Sequence, residues 1–345
     1  MVNTKRKILL LSMGGTIFSI VEKNVVRIAE NIEELVALVP RIKDVAQVSL
    51  EIVKNLDSTN VGSPEWIELI HRIAERYDDY DGFVVAHGTN TMAYTATATA
   101  FGLGSKLAKP VVFTGSQLPL TTYGDDARFN LEHSVLTAVT AIEKNIAEVM
   151  VCFNARVFRG TRTVKISETD FAAFNSPALE PVARIDANGV IFAPHARQSP
   201  NDFFRAPSEI SFSDSVLCID LVPGLHPRTL FQLIDEKEHQ IKGIVIKSHG
   251  AGSVPDVGDM SLIPFIEHAT DRGVPIVVTT KFLGGNSYRQ TNDEPAVRAL
   301  RAGAVASRDM TDVAAQVKLM YLLASGASYN QIVERFTQPI VGEVT

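Results

Sequence analysis

The chain has 345 residues, with 33 Lys and Arg against 39 Asp and Glu, so its formal net charge is −6. Hydrophobic residues make up 46% and charged residues 21%, a balance that is typical of a globular protein and excludes disorder, collagen and coiled coil. The length exceeds that of one ordinary core, so we expect two domains. A mildly acidic chain without a basic stripe argues against nucleic-acid binding. No apolar run reaches the roughly 18 to 20 residues of a membrane helix.

The first apolar run, Ile8 to Leu11, passes directly into two glycines. It is too short for a signal peptide, so it predicts a buried first strand. Cys152 and Cys218, the only cysteines, lie in apolar runs that predict small core residues. The sequence leaves open whether these two cysteines form a disulfide, although such a small number of cysteines is typical of proteins in a reducing cytoplasm. The eight histidines lack metal-ligand spacing, so we expect no metal.

Short apolar runs alternate with helical patterns along the chain, and several of the runs end at glycine. This pattern predicts parallel strands covered by helices. The predicted strands are 8–11, 82–86, 110–113, 148–153, 216–221, 243–246 and 274–278. A helix is predicted from Ser63 as N-cap, with Pro64 in its first turn.

A polar, proline-bearing stretch interrupts the pattern and predicts a linker at 194–214. We therefore expect an α/β protein of two domains. A larger N-terminal catalytic domain (1–193) would hold a mostly parallel sheet flanked by helices, and a smaller C-terminal α/β domain would span 215–345.

Three predicted strands end in glycine followed by a hydroxyl residue. The motifs are Gly14-Gly15-Thr16, His87-Gly88-Thr89-Asn90-Thr91 and Thr114-Gly115-Ser116. Parallel strand ends meet at one edge of a sheet, where glycine permits close approach and free N–H groups stabilise an oxyanion. Turn and N-cap chemistry explains any one motif alone, but three in register favour a site. None matches the GxGxxG or Walker patterns, which disfavours a nucleotide site.

A threonine hydroxyl needs a base to act as a nucleophile. The candidates are His87, His249 and several lysines, among them Lys165 in Arg-Gly-Thr-Arg-Thr-Val-Lys. A lysine is neutral near pH 7 only when it is buried or close to positive charge. Spacing alone predicts a solvated basic turn for Lys165.

Together these motifs resemble the bacterial and archaeal asparaginase/glutaminase family, closest to its cytoplasmic type. The resemblance covers nearly the whole chain, and its supporting stretches are 55–59, 80–85, 110–119, 158–165, 173–177 and 309–311. It implies an amidohydrolase that converts asparagine to aspartate and ammonia without a metal or organic cofactor. It also implies homodimers or homotetramers whose active sites are shared between subunits.

The resemblance also assigns roles to particular residues. Thr16 matches the nucleophile, and Thr89 matches a second threonine in a triad with Lys165 and the residue at position 90. Asp57 and Ser58 match the loop that holds the substrate's α-carboxylate. The other residues expected at the substrate site are Gly15, Thr59, Gly88 and Ser116.

Four positions depart from the family pattern. Asn90 stands where the family has Asp, and Val26 where it usually has Tyr. Met13 stands where the family often has Thr, and Gly250-Ala251-Gly252-Ser253 replaces Gly-x-Gly-Asn. The changes at Asn90 and Ser253 affect groups that the family uses to receive the substrate's α-ammonium. An amide in place of a carboxylate removes charge complementarity and leaves Lys165 more readily neutral.

These departures leave alternatives open. Asparagine is the expected substrate by resemblance, while the departures suggest an amide, imide or lactam without an α-ammonium. A non-catalytic ligand-binding relative is a rival of another class, although Thr16, Thr89 and Lys165 are all retained. A tRNA-dependent amidotransferase subunit is disfavoured, because such proteins carry a further domain before the first Gly-Gly-Thr motif.

Overall fold

The computed structural model of this protein describes residues 5–22, 25–29, 31–200, 204–205, 209–235, 240–283, 287 and 294–345. The chain forms two compact units, Met1–Ile210 and Ser211–Thr345. Within the predicted linker, 201–203 and 206–208 lie outside the described residues.

Twelve strands and five helices are described in the first unit. The strands are β1 (Lys7–Ser12), β2 (Ser19–Glu22), β3 (Val25–Ile28), β4 (Gln47–Ile52), β5 (Gly82–Ala86), β6 (Val111–Thr114), β7 (Val149–Phe153), β8 (Arg156–Arg159), β9 (Val164–Lys165), β10 (Phe174–Asn175), β11 (Ala183–Asp186) and β12 (Gly189–Phe192). The helices are α1 (Ile32–Leu38), α2 (Ile42–Val45), α3 (Ser63–Glu75), α4 (Met92–Leu103) and α5 (Ala127–Glu143).

Eight of these strands form one sheet in the order β12-β11-β8-β7-β6-β5-β1-β4. The strands from β4 to β7 are parallel, and the β8, β11 and β12 end is antiparallel. The predicted fold class is confirmed. Strand β4 was not predicted because it lies at the sheet edge and is only half-buried, so its sequence alternates polar and apolar residues instead of forming a continuous apolar run.

The central strands are buried on both faces, which explains their continuous apolar sequences. Ile8 and Leu10 of β1 pack in one cluster with Leu131 and Val135 of α5. Helix α3 begins at Ser63, and its N-cap is Gly62, whose N–H donates to Glu65 Oε2 at 2.9 Å. The predicted cap at Ser63 was therefore wrong by one position.

The second unit holds β13 (Val216–Asp220), β14 (Gly243–Ser248), β15 (Ile276–Thr280) and β16 (Val305–Ala306), with α6 (Pro227–Asp235), α7 (Ile263–Asp271), α8 (Glu294–Arg301), α9 (Asp312–Ala324) and α10 (Tyr329–Phe336). Its strands are all parallel and follow chain order. Cys218 is exposed because β13 is an edge strand, so its predicted core position was wrong, and both cysteines are free thiols. No helix in the described ranges is long and apolar enough to cross a membrane.

Candidate active site

The loop after β1 approaches the loop after β5 closely enough that only glycine fits between them. Gly15 has φ 89°, in the left-handed region that favours glycine. A Cβ on Gly15 would lie 2.5 Å from the backbone nitrogen of Gly88. Thr16 follows directly and begins a 3₁₀ turn, Thr16–Phe18. The geometry thus brings the first two predicted motifs together.

The loop after β4 joins the same contact. Its 3₁₀ turn, Ser58–Asn60, is capped by the carboxylate of Asp57, which accepts from the Thr59 N–H at 2.8 Å. A Cβ on Gly88 would lie 2.6 Å from Ser58 Oγ. The Thr91 hydroxyl donates to the Ser58 carbonyl at 2.6 Å. These contacts fix the Asp57 loop against the loop after β5.

The third motif completes the cluster at the end of β6. A Cβ on Gly115 would lie 2.5 Å from the His87 carbonyl oxygen and 3.3 Å from Thr89 Cγ2. Ser116 is buried, and its hydroxyl donates to the Leu118 carbonyl at 2.7 Å. Its side chain therefore supports the turn in this structure.

Lys165 reaches the cluster from the two-stranded ribbon of β9 and β10, where it pairs with Phe174. Its Nζ lies 2.9 Å from Thr89 Oγ1 and 2.9 Å from Asn90 Oδ1. A hydroxyl within hydrogen-bonding reach of an amine that is held by a third group is the arrangement of an activated nucleophile or a proton shuttle. Spacing predicted a solvated basic turn for Lys165, whereas in the structure two hydrogen bonds hold its side chain in place.

Burial lowers the pKa of Lys165, while the nearby negative charge of Glu168 opposes the shift. Asn90 is neutral and therefore does not add to that opposition as a carboxylate would. The amine is consequently closer to neutrality than an ordinary surface lysine. This is the property that proton transfer near neutral pH requires.

The other two candidate bases have different partners from Lys165 within their own units. His87 is completely buried, its Nδ1–H donates to the Gly88 carbonyl at 2.7 Å, and burial lowers the pKa of the imidazole to about 4. Neutral His87 thus holds the Gly88 peptide in place. His249 lies in the second unit, where it forms a bridge with Ser253.

Thr16 differs from Thr89 in its surroundings. No described residue forms a hydrogen bond with the Thr16 hydroxyl, which leaves it available to a ligand. Val26, where the family resemblance leads one to expect tyrosine, lies opposite Val21 in the β2–β3 ribbon.

Two contributors to the site were missed at the sequence level. Thr91 belongs to the quoted motif, but only its contact with Ser58 reveals a function in fixing the loops. Glu168 lies three residues after Lys165, and nothing in the sequence pattern marked its electrostatic effect on that lysine. No group of three or more His, Cys, Asp or Glu side chains in the described ranges is arranged to hold a metal ion.

Comparison with known proteins identifies the family. The family model described as "Asparaginase, N-terminal" matches residues 7–198, and "Glutaminase/Asparaginase C-terminal domain" matches residues 215–336. This chain belongs to the asparaginase family. The family resemblance inferred from the motifs is confirmed, and the chain is an amidohydrolase.

Individual asparaginases are similar over their whole length. The L-asparaginase of Thermococcus kodakarensis is 32% identical over 98% of this chain and 99% of its own, and its solved structure gives a TM-score of 0.87. The structure of L-asparaginase I from Vibrio cholerae gives a TM-score of 0.86 at 30% identity and covers 99% of this chain and 100% of its own. The structure of the probable cytoplasmic L-asparaginase from Campylobacter jejuni gives a TM-score of 0.79 at 27% identity and covers 97% of this chain and 100% of its own. These relatives support asparagine hydrolysis by this asparaginase-family chain.

Proposed function

We propose that the chain hydrolyses a small carboxamide of the asparagine type through an acyl-enzyme on Thr16, assisted by Thr89 and Lys165. The observation that carries the proposal is the 2.9 Å contact between Lys165 Nζ and Thr89 Oγ1. That pair lies in the same cluster of loops as Thr16, because Gly15 packs on Gly88. The site therefore combines an unengaged hydroxyl with a hydroxyl–amine pair.

In the first step Thr16 Oγ1 attacks the carboxamide carbon, and its proton passes to the departing nitrogen, which leaves as ammonia. The developing oxyanion is stabilised by backbone N–H groups of the glycine-bearing turns. In the second step Thr89 and Lys165 take a proton from water as it attacks the ester. The acid is released, and the proton returns to Thr16. Asp57, Ser58 and Thr59 bind the substrate's far end.

Ammonia release from asparagine by three threonine variants tests these roles. Thr16→Ala and Thr89→Ala should each lower kcat by several orders of magnitude, because each removes one hydroxyl group from a set of catalytic residues that act together. Thr169→Ala changes an exposed threonine on the loop beyond Lys165 and should keep wild-type turnover. A Thr16→Ala protein with wild-type turnover would contradict the assignment.

Mass spectrometry separates the two threonines. Thr89→Ala slows the second step, so the acyl group should accumulate on the peptide that contains Thr16. An acyl group found on Thr89 in the wild-type protein would reverse the two roles. A folded protein that binds asparagine but releases no ammonia would instead support the non-catalytic alternative.

We also propose a cytoplasmic homodimer or homotetramer with shared sites. The assembly rests on the family resemblance, and the localisation on likeness to the probable cytoplasmic relative. The second unit exposes Val257 by 70%, Phe282 by 58% and Leu283 by 64%, in the segments that follow β14 and β15. In an assembly, burial of such apolar side chains between subunits would stabilise the association. Sedimentation that finds a fully active monomer at micromolar concentration would contradict this proposal.

A further inference from the structure

The loop after β6, residues 115–118, contacts both segments that carry the hydroxyl–amine pair of the candidate active site. A Cβ on Gly115 would lie 3.3 Å from Thr89 Cγ2, so the loop packs on the threonine. Gln117 Nε2 donates to the Asp170 carbonyl at 3.0 Å. Asp170 lies in the connection from β9, which carries Lys165, to β10. The position of this one loop therefore affects both members of the pair.

The contact with Gly115 is made by the methyl group of Thr89, and it thereby orients the hydroxyl group. A threonine carries its methyl and its hydroxyl on the same Cβ, so one χ1 rotation places both groups. In this structure Cγ2 faces Gly115 while Oγ1 lies 2.9 Å from Lys165 Nζ. Movement of the loop away from Thr89 would remove the constraint that keeps the hydroxyl directed at the lysine.

Two buried side chains at the start of α5 hold this loop by its backbone. Asp126 is 9% exposed and Asn130 is 1% exposed. The Leu118 N–H donates to Asp126 Oδ1 at 3.0 Å, and the Gln117 N–H lies 3.1 Å from Oδ1 and 3.0 Å from Oδ2. Asn130 Nδ2 donates to the Gly115 carbonyl at 2.9 Å and to Asp126 Oδ2 at 3.1 Å. Three of the four loop residues are thus fixed through their main chain.

This arrangement requires a group that only accepts hydrogen bonds, and an ionised carboxylate is such a group. The Leu118 N–H bonds to one oxygen of Asp126, and Asn130 Nδ2 bonds to the other. An asparagine in place of Asp126 would turn one oxygen into an NH₂ group, which would face one of these two donors. Within the described ranges Asp126 forms no ion pair, so N–H groups alone stabilise its charge.

Asp126 is not explained by helix capping, although it occupies the N-cap position of α5. Its side chain makes no capping hydrogen bond, whereas an aspartate at that position ordinarily accepts from the first helical N–H groups. The preceding residue, Asp125, accepts from the Arg128 N–H at 3.0 Å instead. The two adjacent acids therefore have separate functions, since Asp125 stabilises the helix and Asp126 stabilises the loop.

We propose that Asp126 is a positioning residue for the hydrolysis. Through the loop 115–118 it holds Thr89 Oγ1 towards Lys165, without touching the substrate itself. This inference rests on the proposed function and adds to it a residue outside the reacting groups. Because Thr89 and Lys165 act when water attacks the ester, loss of the positioning should slow the hydrolysis of the acyl-enzyme.

The experiment measures ammonia release from asparagine by the wild-type protein and by Asp126→Asn. The variant should lower kcat by about 10- to 100-fold, the cost of a displaced catalytic group. KM should fall together with kcat, because slow hydrolysis of an acyl-enzyme lowers both constants. A smaller folded fraction would instead lower kcat and leave KM unchanged. Wild-type kcat in Asp126→Asn would overturn the proposal, and so would a lower kcat with an unchanged KM.

Asp125→Asn provides a control matched in charge and in position along the chain. It removes the charge of the neighbouring acid and keeps an oxygen that can accept from the Arg128 N–H. Asp125→Asn should therefore keep wild-type kcat and KM. An equal loss in both variants would mean that general charge at the start of α5 sets the rate, which would also overturn the proposal.

Thr89→Ser tests the methyl contact without changing the acid. Serine keeps the hydroxyl group but lacks the methyl that faces Gly115, so this variant should also lower kcat. If Asp126 acts through that methyl, adding Asp126→Asn to Thr89→Ser should cause little further loss. Wild-type kcat in Thr89→Ser would overturn the proposal, whether or not Asp126→Asn folds. Losses that simply multiply in the double variant would overturn it too, because the acid would then act by another route.

Hydrogen exchange measured by mass spectrometry makes the test independent of activity, so the two proposals can fail separately. Asp126→Asn should speed exchange in peptides that cover 115–118 and 87–91, and Asp125→Asn should speed it in neither. Faster exchange confined to 115–118 would show that the loop moves without affecting Thr89, which would overturn the inference. A wild-type protein that releases no ammonia removes the proposed function, and hydrogen exchange then decides the inference. Thermal unfolding checks that each variant is folded.

Discussion

Two lysines, one in each unit, are placed in different ways and have different consequences. Lys318 of α9 is completely buried, and its Nζ lies 2.5 Å from Glu343 Oε1, whose side chain is also completely buried. Lys165 is only half-buried, and its nearest polar partners are a hydroxyl and an amide. Burial lowers the pKa of both amines, but only Lys318 has a carboxylate in contact that opposes the shift.

The difference shows how a structural lysine is distinguished from one that does chemistry. Lys318 also donates to the Gln338 carbonyl at 2.6 Å and lies 5.4 Å from the centre of the Phe336 ring. Glu343 accepts from the Ile340 and Val341 N–H groups. Every polar atom of this pair is engaged, so it ties the C-terminal residues to α9 and offers no site for proton transfer. The amine of Lys165 faces a reactive hydroxyl instead.

The largest expected effect comes from removing the amine at the active site. Lys165→Met should lower kcat for ammonia release by about 10²- to 10⁴-fold, the range of general acid–base catalysis. Because Lys165 is only half-buried and makes no ion pair in the described structure, we expect the free energy of unfolding to change by less than about 1 kcal/mol. Steady-state kinetics and urea unfolding of one preparation test both statements. An active Lys165→Met protein would remove the distinction between the two lysines.

The opposite result is expected in the second unit. Glu343→Gln leaves the buried charge of Lys318 without its counter-ion and should lower the free energy of unfolding by about 3 to 5 kcal/mol. The double variant Lys318→Met/Glu343→Gln removes that charge while keeping an acceptor for the backbone N–H groups, so it should recover most of the loss. Urea unfolding at pH 7 measures all three proteins. A double variant no more stable than the single one would show that packing, and not the unpaired charge, causes the loss.

His87 extends the comparison to a buried base with no charged partner. Its pKa of about 4 in the folded protein lies below the ordinary histidine value of 6.5, so between these values the unfolded chain binds a proton that the folded chain does not. The stabilising contribution is complete above pH 6.5 and is lost as pH falls towards 4. Between pH 7 and 4.5 this loss amounts to about 2 to 3 kcal/mol.

Urea unfolding of the wild-type protein and of His87→Asn at both pH values measures this contribution. The asparagine side chain keeps a donor for the Gly88 carbonyl and does not titrate. From pH 7 to 4.5, the free energy of unfolding of the variant should therefore fall by about 2 to 3 kcal/mol less than that of the wild type. Equal losses in the two proteins would mean that His87 becomes protonated without cost in the folded state. It would then not be a neutral buried side chain.

The sequence predicted those parts of the fold and site that have a local pattern. Continuous apolar runs located β1, β5, β6 and β7 because both faces of these strands are buried. Glycine followed by a hydroxyl residue located the loops, because close packing of backbones leaves room for nothing larger. The edge strand β4 escaped prediction, since this half-exposed strand has mixed polarity.

The partners of Lys165 could not be predicted from spacing, because they depend on tertiary contacts. Asn90 lies 75 residues before the lysine in the chain, and Thr89 lies 76 residues before it. The family resemblance suggested that these residues meet, and the β9–β10 ribbon explains how the lysine reaches them. The hydrogen bond from Asn90 to Thr59 had no signal in the sequence, because an exposed amide has no preferred partner.

The smallest expected effect makes Lys165 resemble Lys318. Asn90→Asp places a carboxylate where the amide oxygen now accepts from Lys165 Nζ at 2.9 Å, and a carboxylate in that place raises the pKa of the amine. The base form of Lys165 is populated only above its pKa, so the acid limb of the kcat profile should move to higher pH in this variant. The shift should be smaller in Asn60→Asp, because Asn60 is an exposed residue of the turn Ser58–Asn60 and forms no hydrogen bond with Lys165 in the described structure. Rates measured with saturating succinamate across the pH range compare the three proteins without interference from an ammonium group on the substrate. An acid limb that stays in place in Asn90→Asp would mean that the protonation of Lys165 does not set it.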